Sequence, residues 1–147
     1  MNMKYRIQQI PAGLIEETRA QLQFIQAETD TQVPNLNAEQ AEYWVAAEAE
    51  GKQIGAAWAW NLDSGDKPAE MYVYLQPEYR NCGIGTDLVR TMTDALALTG
   101  YKEITATVRR DNYAVLVFGK VGFKPVREVD LVYTLRLDLA QVGQIEM

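Results

Sequence analysis

The sequence predicts an α/β fold, a single domain over residues 1–147 in which strands and helices alternate around one glycine-bearing turn. Three observations carry that prediction. Residues 73–86 begin with the β-branched and aromatic run Val-Tyr-Leu-Gln, and Pro77 must stop this strand because proline lacks the backbone donor a ladder needs. Gly83 and Gly85 then open a segment with apolar positions at Ile84, Leu88, Val89, Met92 and Leu96, the three-and-four spacing of a helix face. Residues 102–108 form a further strand pattern, with Ile104, Ala106 and Val108 on one side. Strand, helix and strand in this order make a βαβ unit whose strands run parallel and connect right-handedly.

The other elements follow from the same rules. Residues 4–10 read as a first strand, Tyr5, Ile7 and Gln9 alternating with Arg6, Gln8 and Ile10, and Pro11 ends it. Leu14, Ile15, Leu22 and Ile25 recur on one helical face, while Glu16, Glu17, Arg19, Gln23 and Gln26 occupy the other. The polar segment 29–36 holds Pro34 and has no period, so it reads as a loop or a broken second helix, and residues 37–40 can cap a short helical turn. A hairpin comes next: strand 43–49, a turn at Glu50-Gly51-Lys52, and strand 53–60. Its second strand sets Ile54, Ala56, Trp58 and Trp60 against Gly55, Ala57 and Ala59, leaving a nearly bare face for a covering helix or a ligand. The turn-rich stretch 61–68 delivers the chain to the central strand, 69–75. The helix from Gly85 ends near Thr99-Gly100, where glycine supplies a left-handed cap. Asp111 or Asn112 caps a short helix carrying Ala114, Val115, Phe118 and Val121, and Gly122-Phe123-Lys124-Pro125 breaks it. Val129, Leu131, Tyr133, Leu135 and Leu137 alternate as one final strand, after which 138–147 shows no period.

Composition narrows the chemistry. With 48% apolar residues the chain can bury a substantial core. No apolar run approaches the roughly 18 residues of a membrane span, and residues 1–13 lack the apolar block of a signal peptide, so a cytoplasmic protein with no membrane partner is expected. Cys82 is the only cysteine and there is no histidine. This excludes an intramolecular disulfide, cysteine-rich or histidine metal sites, and nucleophiles that depend on a histidine base. No metal is expected, and acid–base work falls to carboxylates, tyrosines or lysines. A net charge of −6, with Arg109-Arg110 as the only adjacent basic pair, argues against nucleic acid as a partner and suits a small basic one.

Glycines at the turn let the backbone approach a bulky ligand, and the unpaired amides of a helix's first turn attract an anion, here a phosphate. The run Arg80-Asn81-Cys82-Gly83-Ile84-Gly85 is not a nucleotide P-loop, which needs Gly-Lys-Ser/Thr. Nor is it the dinucleotide fingerprint, since Leu88 stands where the third glycine would be. It resembles the Arg/Gln-x-x-Gly-x-Gly/Ala pyrophosphate loop of the GNAT-type N-acetyltransferase superfamily, and the preceding Leu-Gln-Pro-Glu-Tyr strengthens the likeness. Residues 111–123 resemble that family's second signature, Asn-x-x-Ala-x-x-x-Tyr-x-Lys-x-Gly-Phe, through Asn112, Ala114 one place early, Phe118, Lys120, Gly122 and Phe123. The order of elements is similar too, so the resemblance covers essentially the whole chain.

The resemblance implies a mixed, largely antiparallel twisted sheet of six to seven strands with about four helices, the central strand and the following parallel strand splaying into a V. Acetyl-coenzyme A would lie in that V. Its pantetheine amides would pair with the backbone edge near Val73 and Leu75. Its pyrophosphate would take the amides of Cys82, Gly83, Ile84, Gly85 and Thr86, with Arg80 and Asn81 nearby, and Asn112 would touch the pantetheine arm. The implied activity is direct transfer of acetyl to a primary amine of a small molecule or peptide in a ternary complex. A non-catalytic acyl-coenzyme A binding or sensing module is the alternative. The oligomeric state is open, a homodimer included.

Acetyl transfer needs a neutral nucleophile, a stabilised oxyanion and a proton for the departing thiolate. The family-like oxyanion donor is a backbone amide near Leu75. Glu70, at the start of the central strand and ten residues before Arg80, is the candidate base, with Tyr72 and Tyr74 on its face to bind the acceptor or order a water. Phe118 stands where the family usually has the tyrosine that protonates the thiolate, and phenylalanine has no proton to give. Tyr113, five residues back, is expected to face another way on the helix. Cys82, in the phosphate turn, is poorly placed to carry acetyl. Glu16, Glu17, Glu28 and Asp30 belong to the helix and loop that wall the acceptor site in the family, and they meet a cationic amine or form a solvated face.

Overall fold

The computed structural model describes residues 4–29, 38–61 and 68–139. The expected polar loop from residue 30 onward, most of the turn-rich stretch before the central strand, and the tail after Leu139 lie outside the described residues, as do Asp30 and the side chain of Glu28. The elements run β1 (Arg6–Gln9), α1 (Ile15–Thr29), β2 (Tyr43–Ala49), β3 (Lys52–Asn61), β4 (Ala69–Leu75), α2 (Ile84–Thr99), β5 (Glu103–Arg109), α3 (Ala114–Val121), β6 (Lys124–Val129) and β7 (Val132–Asp138). Among the described residues there are three α-helices rather than about four, with short 3-10 turns at Ala12–Leu14, Ala38–Gln40 and Pro77–Tyr79. None of the described helices is long and apolar enough to cross a membrane.

The seven strands form one sheet in the order β1-β2-β3-β4-β5-β7-β6. Every neighbouring pair is antiparallel except β4 and β5. The β2–β3 hairpin pairs Trp44 with Trp58, and β3–β4 pairs Trp58 with Tyr72, so these three rings share a face. Trp44 stacks on Trp58 at 5.5 Å between centroids, Tyr72 lies tilted against Trp58 at 5.6 Å, and Arg19 of α1 lies over the Trp44 ring at 5.8 Å, which places α1 on that side. On the other side, Gly55, Ala57 and Ala59 leave the bare face expected from sequence, and α2 covers it with the buried Leu88, Val89, Met92 and Leu96. Small residues there let the helix approach the sheet closely. Gly55 has a second role: a Cβ on it would meet the Tyr74 carbonyl oxygen at 2.5 Å, so only glycine lets β3 approach β4 this closely at the height of Leu75.

The C-terminal part departs from the expected single strand. Residues 124–138 fold back as a hairpin, and β7 inserts between β5 and β6. Asp130 and Leu131 form its turn with φ of 52° and 67°. A leucine in the left-handed region carries none of the Asn-Gly or Asp-Gly signal that marks such turns. All of β6 is exposed, so no burial period betrays it either.

The parallel pair shapes the molecule. β4 keeps register with β3 along its whole length, but with β5 only at Ala69↔Ile104 and Glu70↔Thr105. Beyond that point β5 stays with β7, its partner along its whole length, and β4 and β5 separate into a V whose vertex is at Glu70 and whose mouth is at Leu75.

Candidate active site

At the mouth of the V the backbone of β4 turns its polar groups into the gap. The Leu75 N–H donates to the Tyr113 hydroxyl at 2.8 Å, and the Leu75 carbonyl accepts from Arg80 Nε at 2.8 Å. Strand periodicity of two gives Val73 the same orientation, so Val73 and Leu75 present an edge that β5 has left.

Beyond Leu75, Pro77 opens a 3-10 turn that buries Tyr79, and the chain then passes through Asn81 and Gly83 with φ of 66° and 89°. Gly83 caps α2, and the first helical bond runs from the Asp87 N–H to the Gly83 carbonyl. The amides of Cys82, Gly83, Ile84, Gly85 and Thr86 find no acceptor among the described residues, the arrangement that suits an anion. The two glycines do different work. A Cβ on Gly83 would meet nothing within 4 Å, so its surface is open to a ligand, whereas one on Gly85 would sit 3.3 Å from Val117 Cγ2. Gly85 therefore lets α2 pack against α3.

A pocket of about 50 Å³ joins these features. Leu75, Arg80, Asn81, Gly83, Gly85 and Thr86 line one wall, and α3 and its cap supply Tyr113, Leu116, Val117 and Lys120 on the other; Val73, Cys82, Ile84 and Asn112, also expected at the ligand, do not line it. The pocket is small because two side chains fill the splay. The Arg80 guanidinium lies 3.7 Å from the Tyr113 ring centroid, close enough for a strong cation–π contact. Burial pushes the Tyr113 phenol above its ordinary range, with Arg80 opposing.

Tyr113 and Phe118 face different ways on α3, five residues apart: Tyr113, the N-cap residue with helical backbone angles, enters the V, while Phe118 turns into the core. The cap interaction comes from Asn112, whose Oδ1 accepts the Ala114 N–H at 2.8 Å. Asn112 Nδ2 also donates to the Tyr72 hydroxyl at 3.2 Å, which ties α3 to β4 across the V. Phe118 is fully buried, its ring 4.9 Å from Phe123, and does not line the pocket.

Glu70 lies at the vertex. Burial raises its carboxyl above the usual carboxylate range, and a hydrogen bond with Thr107 pulls it partly back. Five residues of strand separate it from Leu75, about 16 Å, so the two do not meet. Val73 is nearer, at about 10 Å. Cys82 is exposed in the phosphate turn. Glu16 is exposed and paired with Arg19, and Glu17 is exposed.

The V, the strand edge that β5 leaves and the free helix-start amides form one continuous cleft. Residues 11–123 match the model of the Acetyltransferase (GNAT) family, and the chain belongs to that family, whose acetyl donor is acetyl-coenzyme A. Solved structures share the fold. A GNAT-family acetyltransferase of Streptococcus pneumoniae is 18% identical, with a TM-score of 0.69 over 92% of this chain and 99% of that one. The PaiA N-acetyltransferase of Thermoplasma acidophilum, in complex with coenzyme A, is 18% identical with a TM-score of 0.65, covering 92% and 99%. YncA of Salmonella typhimurium, with acetyl-CoA, is 17% identical with a TM-score of 0.66, covering 92% and 94%.

Proposed function

We propose that this chain transfers acetyl directly from acetyl-coenzyme A to a primary amine of a small molecule or peptide. The observation that carries the proposal is the β4 edge that β5 leaves, running from a half-buried carboxylate at Glu70 to the free amides before Asp87. When bound, acetyl-coenzyme A supplies an activated thioester. The helix-start amides and Lys120 hold phosphate, and Gly83 gives it room. The Leu75 amide and carbonyl would hold the pantetheine arm once Tyr113 and Arg80 release them. Val73 then donates its N–H to the oxygen on which negative charge develops, because it lies deeper in the V than Leu75 and closer to Glu70.

Glu70 takes the proton of the attacking amine through a water ordered by Tyr72, the distance being too great for direct contact. Tyr113 Oη, once released from Leu75, would be the group on the mouth side of Val73 that holds a proton for the departing thiolate. That assignment gives Tyr113 the role the second motif would assign to position 118. Calorimetry with acetyl-coenzyme A, together with thiol release over an amine panel, tests the proposal. Gly83→Val should abolish measurable binding in a folded protein by placing a side chain in the phosphate approach. Unchanged affinity would overturn the site, and binding without thiol release across the panel would mark a cofactor-binding module instead of an enzyme.

A further inference from the structure

The strand register places a row of functional side chains across the sheet at the vertex of the V. Trp60 pairs with Glu70, Glu70 with Thr105, Thr105 with Arg136, and Arg136 with Lys124. Directly paired residues on neighbouring strands point to the same face, so all five stand on one side of the sheet. This is the face of Tyr72 and of α1, opposite α3: a Cβ on Gly122, at the end of α3, would touch Leu137, and Leu137 alternates with Arg136. Helix α1 packs over β2 and β3. Over β5 and β7 no described helix covers the row.

The row changes character along its length. Trp60 is buried, Glu70 is half-buried and negative, and Arg136 and Lys124 are exposed and positive. Arg136 and Lys124 form no ion pair among the described residues. Between the two signs lies Thr105, whose buried hydroxyl oxygen has no hydrogen-bond partner. Glu103 and Asp138, paired with each other on the same face, bound the row on the side away from the mouth. From Glu70 to Arg136 is two strand spacings, about 10 Å between Cα atoms, and the arginine side chain can reach back over part of that span.

Resting on the acetyltransferase reading above, we infer that the acceptor is an amino-acid-like molecule, a primary amine that also carries a carboxylate, with the amine at Glu70 and the carboxylate at Arg136. Guanidinium binds carboxylate bidentately, a geometry lysine does not reproduce, so Arg136 selects and Lys124 adds charge. The attraction is local: the protein's overall charge of −6 opposes an anionic acceptor, so recognition depends on this row and not on long-range steering.

The test compares free amino acids with their C-terminal amides and with the matching decarboxylated amines. Thiol release gives kcat/KM, and calorimetry in the presence of coenzyme A gives acceptor affinity. Wild type should favour the carboxylate form by roughly ten- to a hundredfold, mainly in KM, the size of a charge-assisted hydrogen-bonded pair. Arg136→Gln should bring the acid-to-amide ratio close to one, and Arg136→Lys should restore part of it. Transfer to amines with no preference for the carboxylate, or a ratio that Arg136→Gln leaves intact, overturns this inference while the acetyltransferase reading stands. Absence of transfer to every amine overturns both.

Discussion

Replacing Tyr113 with phenylalanine separates cofactor binding from proton supply, and the two effects have opposite signs. The Tyr113 hydroxyl accepts the Leu75 N–H at 2.8 Å, a bond the protein must give up before pantetheine can use that amide. A net hydrogen bond of about 1 kcal/mol corresponds to a factor of about five, so Tyr113→Phe should bind acetyl-coenzyme A several-fold more tightly. The ring and its contact with Arg80 at 3.7 Å remain, which keeps the fold and the pocket wall in place. Turnover should fall. A general acid contributes about 10²- to 10⁴-fold, and a thiol with a pKa near 8.5 leaves readily, so the lower end, about a hundredfold in kcat, applies. Because burial raises the Tyr113 phenol, wild type should show no loss of the acid form up to about pH 10. Calorimetry and single-turnover thiol release measure the two terms separately. Tighter binding with unchanged kcat would remove the acid role; weaker binding would refute the argument that Tyr113 competes with the cofactor.

Two further substitutions probe the vertex and the core. Glu70→Gln should lower turnover by about a hundredfold or more at neutral pH. It should also raise Tm there: a folded-state pKa raised by burial gives stability present below about pH 4.3 and lost as pH rises through the raised value, so the ionised group is a burden at pH 7. A glutamine enzyme with wild-type turnover would assign the proton to another group. Phe118→Tyr should destabilise the protein by about 1–3 kcal/mol without raising kcat, since it forces a hydroxyl into a fully buried position packed against Phe123. A gain in turnover would instead place position 118 within reach of the sulfur.

Sequence alone determined what depends on neighbours along the chain. Pro77 had to end β4, the spacing from Ile84 to Leu96 had to make a helix, Gly100 and Gly122 had to cap helices, and a strand–helix–strand order had to pair β4 and β5 in parallel. The free amides of the turn followed from the same local rules. Tertiary structure decided what depends on neighbours across the sheet. The Asp130-Leu131 turn was hidden because its left-handed φ values are imposed by β6 pairing with β7 and not by residue type. Periodicity set Tyr113 and Phe118 on different sides of α3, but only the docking of that helix decided which side met the V and which filled the core. The alignment of Glu70, Thr105 and Arg136 joins residues that stand 35 and 31 positions apart in the chain, on three different strands. No local pattern encodes such a row, because register between distant strands is set only when their buried faces close on a common core.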